Sequence, residues 1–173
     1  MKKIQKPESS EYPKYASMYM KLVPDDGLVL KHLKDNFKEI KKLILSLSDE
    51  QLNFRYKKNK WSIKEILVHL VDDERIYAYR ALRFARNDKT ELPGFEQDDF
   101  IEFSGTESRF LSNILKEYEA VRKSTILMFE SFSDEALMRT GKANGNLNSV
   151  RSLVYHIAGH ELHHLNVIRK LYL

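Results

Sequence analysis

The chain has 173 residues, 29 of them Lys or Arg against 25 Asp or Glu, a formal net charge of +4 and no cysteine. The length suits one domain spanning 1-173 with a real core, carrying an N-terminal extension over 1-25. The charges are interspersed, with no basic stripe to track phosphates, which argues against a nucleic-acid partner. Without cysteine there is no disulfide and no thiolate ligand, so any metal must be held by histidine and carboxylate.

The opening Met1-Lys2-Lys3-Ile4-Gln5-Lys6 leads into no apolar run, so no signal peptide is read there. No stretch is long and apolar enough to span a bilayer, and a soluble, cytoplasmic protein with no membrane partner is expected. Tyr12, Tyr15, Tyr19 and Met20 hint that the first two dozen residues pack on the body of the protein.

Lys, Glu, Leu and Ile are abundant while Gly and Pro are few, which favours helices. The first helix is predicted from about Asp26 to Leu47, with Leu30, Leu33, Phe37, Ile40 and Ile44 at helical spacing. Ser62-Ile63-Lys64-Glu65 is a capping box, and Trp61 with Ile66 fits a hydrophobic staple, so a second helix starts there and runs to about Arg86. The third is predicted from about Thr106 to Phe132 and the fourth from about Ser149 to Tyr172. Pro93-Gly94 marks a turn in the connection between the second and third. That connection has roughly twenty residues and could reach about 60 Å, longer than a helix of about 37 Å. It can cross the whole bundle and leave the third helix parallel to the second. The fold class is therefore all-α, a four-helix bundle of up-down-down-up topology.

An internal repeat supports this. Ser46-Leu47-Ser48-Asp49-Glu50 matches Ser131-Phe132-Ser133-Asp134-Glu135, and Ser62 through Leu70 matches Ser149 through Ile157, with His69 opposite His156. Two related helical hairpins packed with approximate two-fold symmetry are expected. Chance recurrence of a cap and an amphipathic helix is the alternative.

Four of the six histidines fall in Tyr155-His156-Ile157-Ala158-Gly159-His160-Glu161-Leu162-His163-His164. Histidines at i and i+4 point the same way from a helix and can share a divalent ion. His156 and His164 lie about 12 Å apart along the axis, so one ion cannot take all three of 156, 160 and 164. The available pairs are 156 with 160, 160 with 164, and 160 with 163. His160 and His164 fall on or beside the inward stripe of Leu153, Ile157, Ile168 and Leu171, which favours that pair. His156 and His163 read as core-edge residues and His32 as a surface residue. His69 lies on the flank of its helix beside Asp73, which could orient it or act as a carboxylate ligand. His160-Glu161-x-x-His164 has the letters of a zincin protease motif, but a short helical bundle lacks that motif's strand and downstream ligand.

Trp61-Ser62 before a helix, His69-Leu70-x-Asp72, the Pro93-Gly94-Phe95 connection, Arg139-x-Gly141-x-x-Asn144-Gly145 and His160-Glu161-x-His163-His164 together resemble the DinB/YfiT-like superfamily across nearly the whole chain. The resemblance implies an up-down-down-up four-helix bundle and, in metal-binding members, three histidines on a divalent metal ion, often nickel or zinc. Carried over, the metal ligands are His69, His160 and His164. It also implies mixed functions. Some members resemble thiol S-transferases acting with low-molecular-weight thiols such as bacillithiol or mycothiol, one gave the label of metal-dependent hydrolase, and family members often form a homodimer.

Three readings follow. In the first, the chain is a metal-dependent enzyme, a thiol S-transferase or a hydrolase, with a small-molecule substrate and with Tyr155, Arg122 and Asp73 as candidates to line or orient the pocket. No catalytic residue is assigned, and Glu161 is expected to project sideways rather than act as a base. In the second, the same triad is closed by Asp73 in a non-enzymatic metal-binding or stress-response bundle. In the third, the histidines are hydrogen-bonded core residues of a structural bundle.

Overall fold

The computed structural model describes residues 1–173. Four long helices form the bundle: α2 (Val29–Ile44), α4 (Ile63–Ala85), α6 (Leu111–Ser131) and α8 (Val150–Leu171). Shorter helices join them: α1 (Ser17–Met20), α3 (Asp49–Asn53), α5 (Gln97–Glu102) and α7 (Asp134–Met138). No helix is long and apolar enough to cross a membrane.

Helices α4 and α8 start where their serine caps put them. Ser62 Oγ accepts from the Glu65 amide at 3.2 Å while the Ser62 amide donates to Glu65 Oε2 at 2.6 Å, satisfying two orphan donors. Ser149 Oγ accepts from the Ser152 amide at 3.1 Å and opens α8 in the same way. The repeat maps onto the elements: each half runs long helix, short Ser-capped helix, long Ser-capped helix.

Cross-helix contacts fix the directions. Lys64 and Arg75 on α4 reach Glu107 and Glu117 before and along α6, so α4 and α6 run parallel. His69 meets His164 and Asp73 meets His156, so α4 and α8 are antiparallel. Asn36 and Glu39 on α2 meet Ala158 and Arg169 on α8, which run the same way. The order is up-down-down-up.

Two helix starts differ from expectation. Asp26 stays outside α2 because its carboxylate accepts from the Leu28 amide at 2.8 Å, an Asx-type turn that competes with helix. It also pairs with His32 at 2.9 Å. α6 begins at Leu111 rather than near Thr106, since Gly105 is left-handed, Thr106–Ser108 make a tight turn, and Arg109 and Phe110 are extended.

One element is absent from the helix periodicity. Strands β1 (Thr140–Ala143) and β2 (Asn146–Ser149) form a hairpin, closed by Asn144 and Gly145 at φ 49° and 71°. Asn-Gly is the residue pair that a type I′ turn prefers. Gly141 on β1 sits against the Phe84 ring, leaving no room for a Cβ. Leu92 joins this hairpin edge, its amide donating to the Lys142 carbonyl at 3.0 Å, which ties the long connection to the start of α8.

The N-terminal residues pack along α8. Ile4 is buried, its carbonyl accepts from the Tyr155 hydroxyl at 2.8 Å, and Arg151 pairs with Glu11. Gly159 lets the Tyr19 backbone lie directly on the helix, where a Cβ would overlap the Tyr19 carbonyl.

The interior is two apolar clusters separated by a polar layer. One gathers Leu30, Leu33, Phe84, Phe129 and Leu153; the other gathers Ile40, Leu67, Ile114, Leu165 and Ile168. Between them lie the buried Asp73, Glu74, Arg122, His156, His160 and Glu161. Arg122 donates to Glu74 and Glu161, each at 2.9 Å, and to the Leu33 carbonyl. Tyr118 donates to Glu161. Burial pushes the Glu161 carboxyl up, and Arg122 opposes that shift.

Candidate metal centre

His69 on α4 and His160 and His164 on α8 converge at the level of the polar layer. His160 Nε2 lies 3.2 Å from His69 Nε2 and 3.1 Å from His164 Nε2. All three donor atoms lie within 4.8 Å of one another. Asp73 Oδ2 sits 3.2 Å from His160 Nδ1, which favours the proton on that nitrogen and leaves the Nε2 lone pair turned toward the other two rings. One lone pair cannot serve two N–H donors well, and His164 Nδ1 is buried with no partner. Hydrogen bonding alone therefore leaves this cluster unsatisfied. Ligand nitrogens at about 2.05 Å from a tetrahedral ion stand roughly 3.3 Å apart, close to the two separations measured from His160. The donor set and its spacing fit a divalent ion.

The electrostatics agree with that use. Burial, reinforced by the neighbouring His160, lowers His69 to about 4. Burial likewise lowers His164 to about 2 and His156 to about 3. These rings are neutral at physiological pH, the state a metal requires. Burial alone would raise Asp73, but His160, with His156 and His69, outweighs it and holds the carboxyl well below the usual range.

Aromatic rings enclose the cluster. Trp61 lies 4.7 Å from the His69 ring and is roughly parallel to His164 at 6.5 Å. Tyr19 stands edge-on to His160 at 5.2 Å. Two cavities flank the histidines. One, of about 350 Å³, is lined by Trp61, His164 and Tyr172; the other, of about 290 Å³, by Asp73, Arg80, Asn148, His156 and His160. Gln97 on α5 borders both.

Several expected roles differ. Asp73 orients His160, across the helix pair, rather than its helical neighbour His69. His156 is no core-edge residue: it stacks on Tyr77 at 3.8 Å and faces Asp73 at 3.8 Å. Asp73, His156 and His160 form a second group able to approach one ion, but it draws on the His160 edge that Asp73 already occupies. Tyr155 is spent on Ile4, and Arg122 on its two carboxylates, so neither orients the cluster. Glu161 points into that network, and the zincin-like letters therefore carry no base to the histidines. His163 is only partly buried, beside Tyr19. Sequence reasoning passed over Tyr77, Arg80 and Trp61 as site residues. His69, Asp73, Tyr77 and Arg80 recur at helical spacing on one face of α4, a signal that was available.

An up-down-down-up bundle with a histidine cluster in its polar layer defines a class of helical proteins that can hold a metal ion. The DinB superfamily model matches residues 32–168, and the chain belongs to that family. It is 28% identical over 143 residues to the protein named "Putative metal-dependent hydrolase OB0413" from Oceanobacillus iheyensis, covering 81% of each chain. Its fold is similar to that of YfiT from Bacillus subtilis, described as a probable metal-dependent hydrolase with an unusual four-helix bundle topology. That match has a TM-score of 0.73 at 15% identity and covers 96% of this chain and 90% of the other.

Proposed function

We propose that this chain is a metal-dependent enzyme in which His69, His160 and His164 hold one divalent ion, zinc or nickel, and a small-molecule substrate occupies the flanking cavities. The observation that carries this is the convergence of three Nε2 atoms, one of them on a ring oriented by Asp73, between two cavities. When bound, the ion supplies Lewis acidity that makes a nucleophile available at neutral pH. The chain's own residues do the rest. Asp73 keeps His160 in the tautomer with a free Nε2. Trp61 and Tyr19 exclude bulk water from the histidines, and Gln97 stands where substrate in either cavity would meet it.

The finer reading is transfer of a low-molecular-weight thiol to an electrophile. The sulfur forms the new carbon–sulfur bond, its proton passes to solvent, and the leaving group departs with the electron pair. What favours this over hydrolysis is that Asp73, the carboxylate in contact with the cluster, is committed to His160, and Glu161, the neighbour of His160 in sequence, to Arg122. A thiol ionises far more readily than water and has less need of a general base. Hydrolysis is the second reading, favoured by the names of the similar proteins.

The test is to load metal-free protein with zinc or nickel and assay cysteine with 1-chloro-2,4-dinitrobenzene beside p-nitrophenyl acetate with water. Metal-dependent thioether formation that His160→Ala abolishes supports transfer. Metal-dependent ester cleavage without thioether formation turns the assignment to hydrolysis, and equal rates in His160→Ala overturn both.

A further inference from the structure

The repeat that pairs Ser62 with Ser149 also pairs Trp61 with Asn148, His69 with His156, Asp73 with His160, Tyr77 with His164 and Arg80 with Val167. The contacts obey this pairing. His69 meets His160 across the two halves, and the counterpart contact joins His156 to Asp73. His69 and His164 are ring neighbours at 5.1 Å, and His156 and Tyr77 are stacked at 3.8 Å. The two cavities are thus counterparts, lined by Trp61, His164 and Val167 on one side and by Asn148, Tyr77 and Arg80 on the other. On the second side a ligand imidazole is replaced by a phenol, and a valine by an arginine.

That arginine is singular. Arg80 is 6% exposed and has no carboxylate within ion-pair distance. Its one hydrogen bond inside the protein runs from Nη2 to the Pro93 carbonyl at 2.9 Å. Its guanidinium lies over the Tyr77 ring at 5.1 Å and the Phe95 ring at 5.9 Å. None of its other nitrogens is sealed away without a partner, and the side chain lines the cavity that also holds His160. A nearly buried cation without a counter-ion is costly, and an anion in that cavity would remove the cost. The flat edge of a guanidinium matches a carboxylate bidentately. Asp73 and Glu96 line the same cavity, and Asp73 is already engaged by His160. One free cation among such acids suits a monoanion and disfavours a phosphate dianion.

We infer that Arg80 is a binding residue for a carboxylate on the substrate, held in the second of the two counterpart cavities, beside His160. The substrate is then a small carboxylic acid whose charged end sits on Arg80 and whose reacting group reaches toward the histidines. This rests on the reading that the reacting centre is at His160, while anion binding by Arg80 does not need a metal.

The experiment is an NMR titration of metal-free, isotope-labelled protein at neutral pH with butanoate, butanamide and methyl phosphate. Butanoate should give saturable shifts at the Arg80 Nε–H and at Tyr77 and Asn148, and butanamide none. Arg80→Met should weaken butanoate binding by about tenfold or more, and Arg80→Lys by less. Should Arg80→Met fail to fold, Arg80→Lys decides, and unchanged affinity there overturns the inference. Equal affinity in Arg80→Met, no saturable shift in the wild type, or tighter binding of methyl phosphate would each overturn it too. His160→Ala separates the two claims. Butanoate binding that survives there, with zinc binding lost, supports both. Butanoate bound only with zinc and lost in His160→Ala assigns the carboxylate to the metal and removes it from Arg80. Butanoate binding to a wild type that takes up no zinc leaves the Arg80 site standing and the metal reading refuted.

Discussion

Removing the Arg122 side chain as Arg122→Met should be the most damaging single change in the polar layer. Arg122 is 3% exposed and holds Glu74 at 3.0 and 2.9 Å, Glu161 at 2.9 Å and the Leu33 carbonyl. Methionine fills much of the volume, so the loss is electrostatic rather than a cavity. Two buried carboxylates would face each other with only Tyr118 donating to one of them. Stranding one buried charge costs about 3–5 kcal/mol, a large share of a total stability of about 5–15 kcal/mol. The pH dependence identifies the cause. Without Arg122 nothing opposes the burial of Glu161, whose folded-state pKa rises further above the unfolded value of about 4.3. The folded variant then binds more protons than the unfolded chain, and its deficit is greatest at neutral pH and shrinks as pH falls toward 4. Urea unfolding of wild type and variant at pH 7 and pH 5 measures this, and Glu161→Gln in the Arg122→Met background should restore part of the loss. A deficit under about 1 kcal/mol at pH 7, or one independent of pH, would refute the reasoning.

Metal-free wild type should lose stability on mild acidification. His69 and His156 titrate near 4 and 3 in the fold, below the unfolded value, so the unfolded chain takes up protons first. Stability present above about pH 6.5 is lost as pH falls toward those values, by up to about 1.4 kcal/mol per pH unit for each ring. Urea midpoints between pH 7 and 5 read this, and a flat profile contradicts it. Asp73→Asn should weaken zinc affinity about 10- to 100-fold by loosening His160, measured by competition with a chromophoric chelator; unchanged affinity would deny Asp73 its orienting role. Gly159→Ala should cost about 1–3 kcal/mol, because its Cβ meets the Tyr19 carbonyl. Thermal unfolding with Tyr19 fluorescence checks that, and a neutral result would mean the N-terminal segment yields at no cost.

Much of the fold is legible in the sequence because local chemistry and global packing agree. Ser62 with Glu65, and Ser149, announce two helix starts, and the apolar spacing of α2 and α8 announces their inner faces. The hairpin escaped because its strands are short and polar, although Asn144-Gly145 was there to signal a turn. The α8 stripe puts His160 and His164 together by helical geometry alone. The partner of His160 was harder to see. Asp73 and His69 are neighbours on α4, and nothing in one helix tells that the carboxylate reaches across to the other. His156 lies to one side of the apolar stripe, yet it is buried because the polar layer and the Tyr19 segment cover that side. Arg80 had no visible partner in the sequence and has no acidic partner in the fold either.

The proposed function depends on His69, His160 and His164 holding one ion. Elemental analysis of untagged protein beside its His160→Ala variant, both after incubation with zinc or nickel and removal of excess, tests it most directly. About one divalent ion per chain in the wild type and none in the variant is the expected result for a three-histidine site. No metal in the wild type, or as much in the variant, would contradict it.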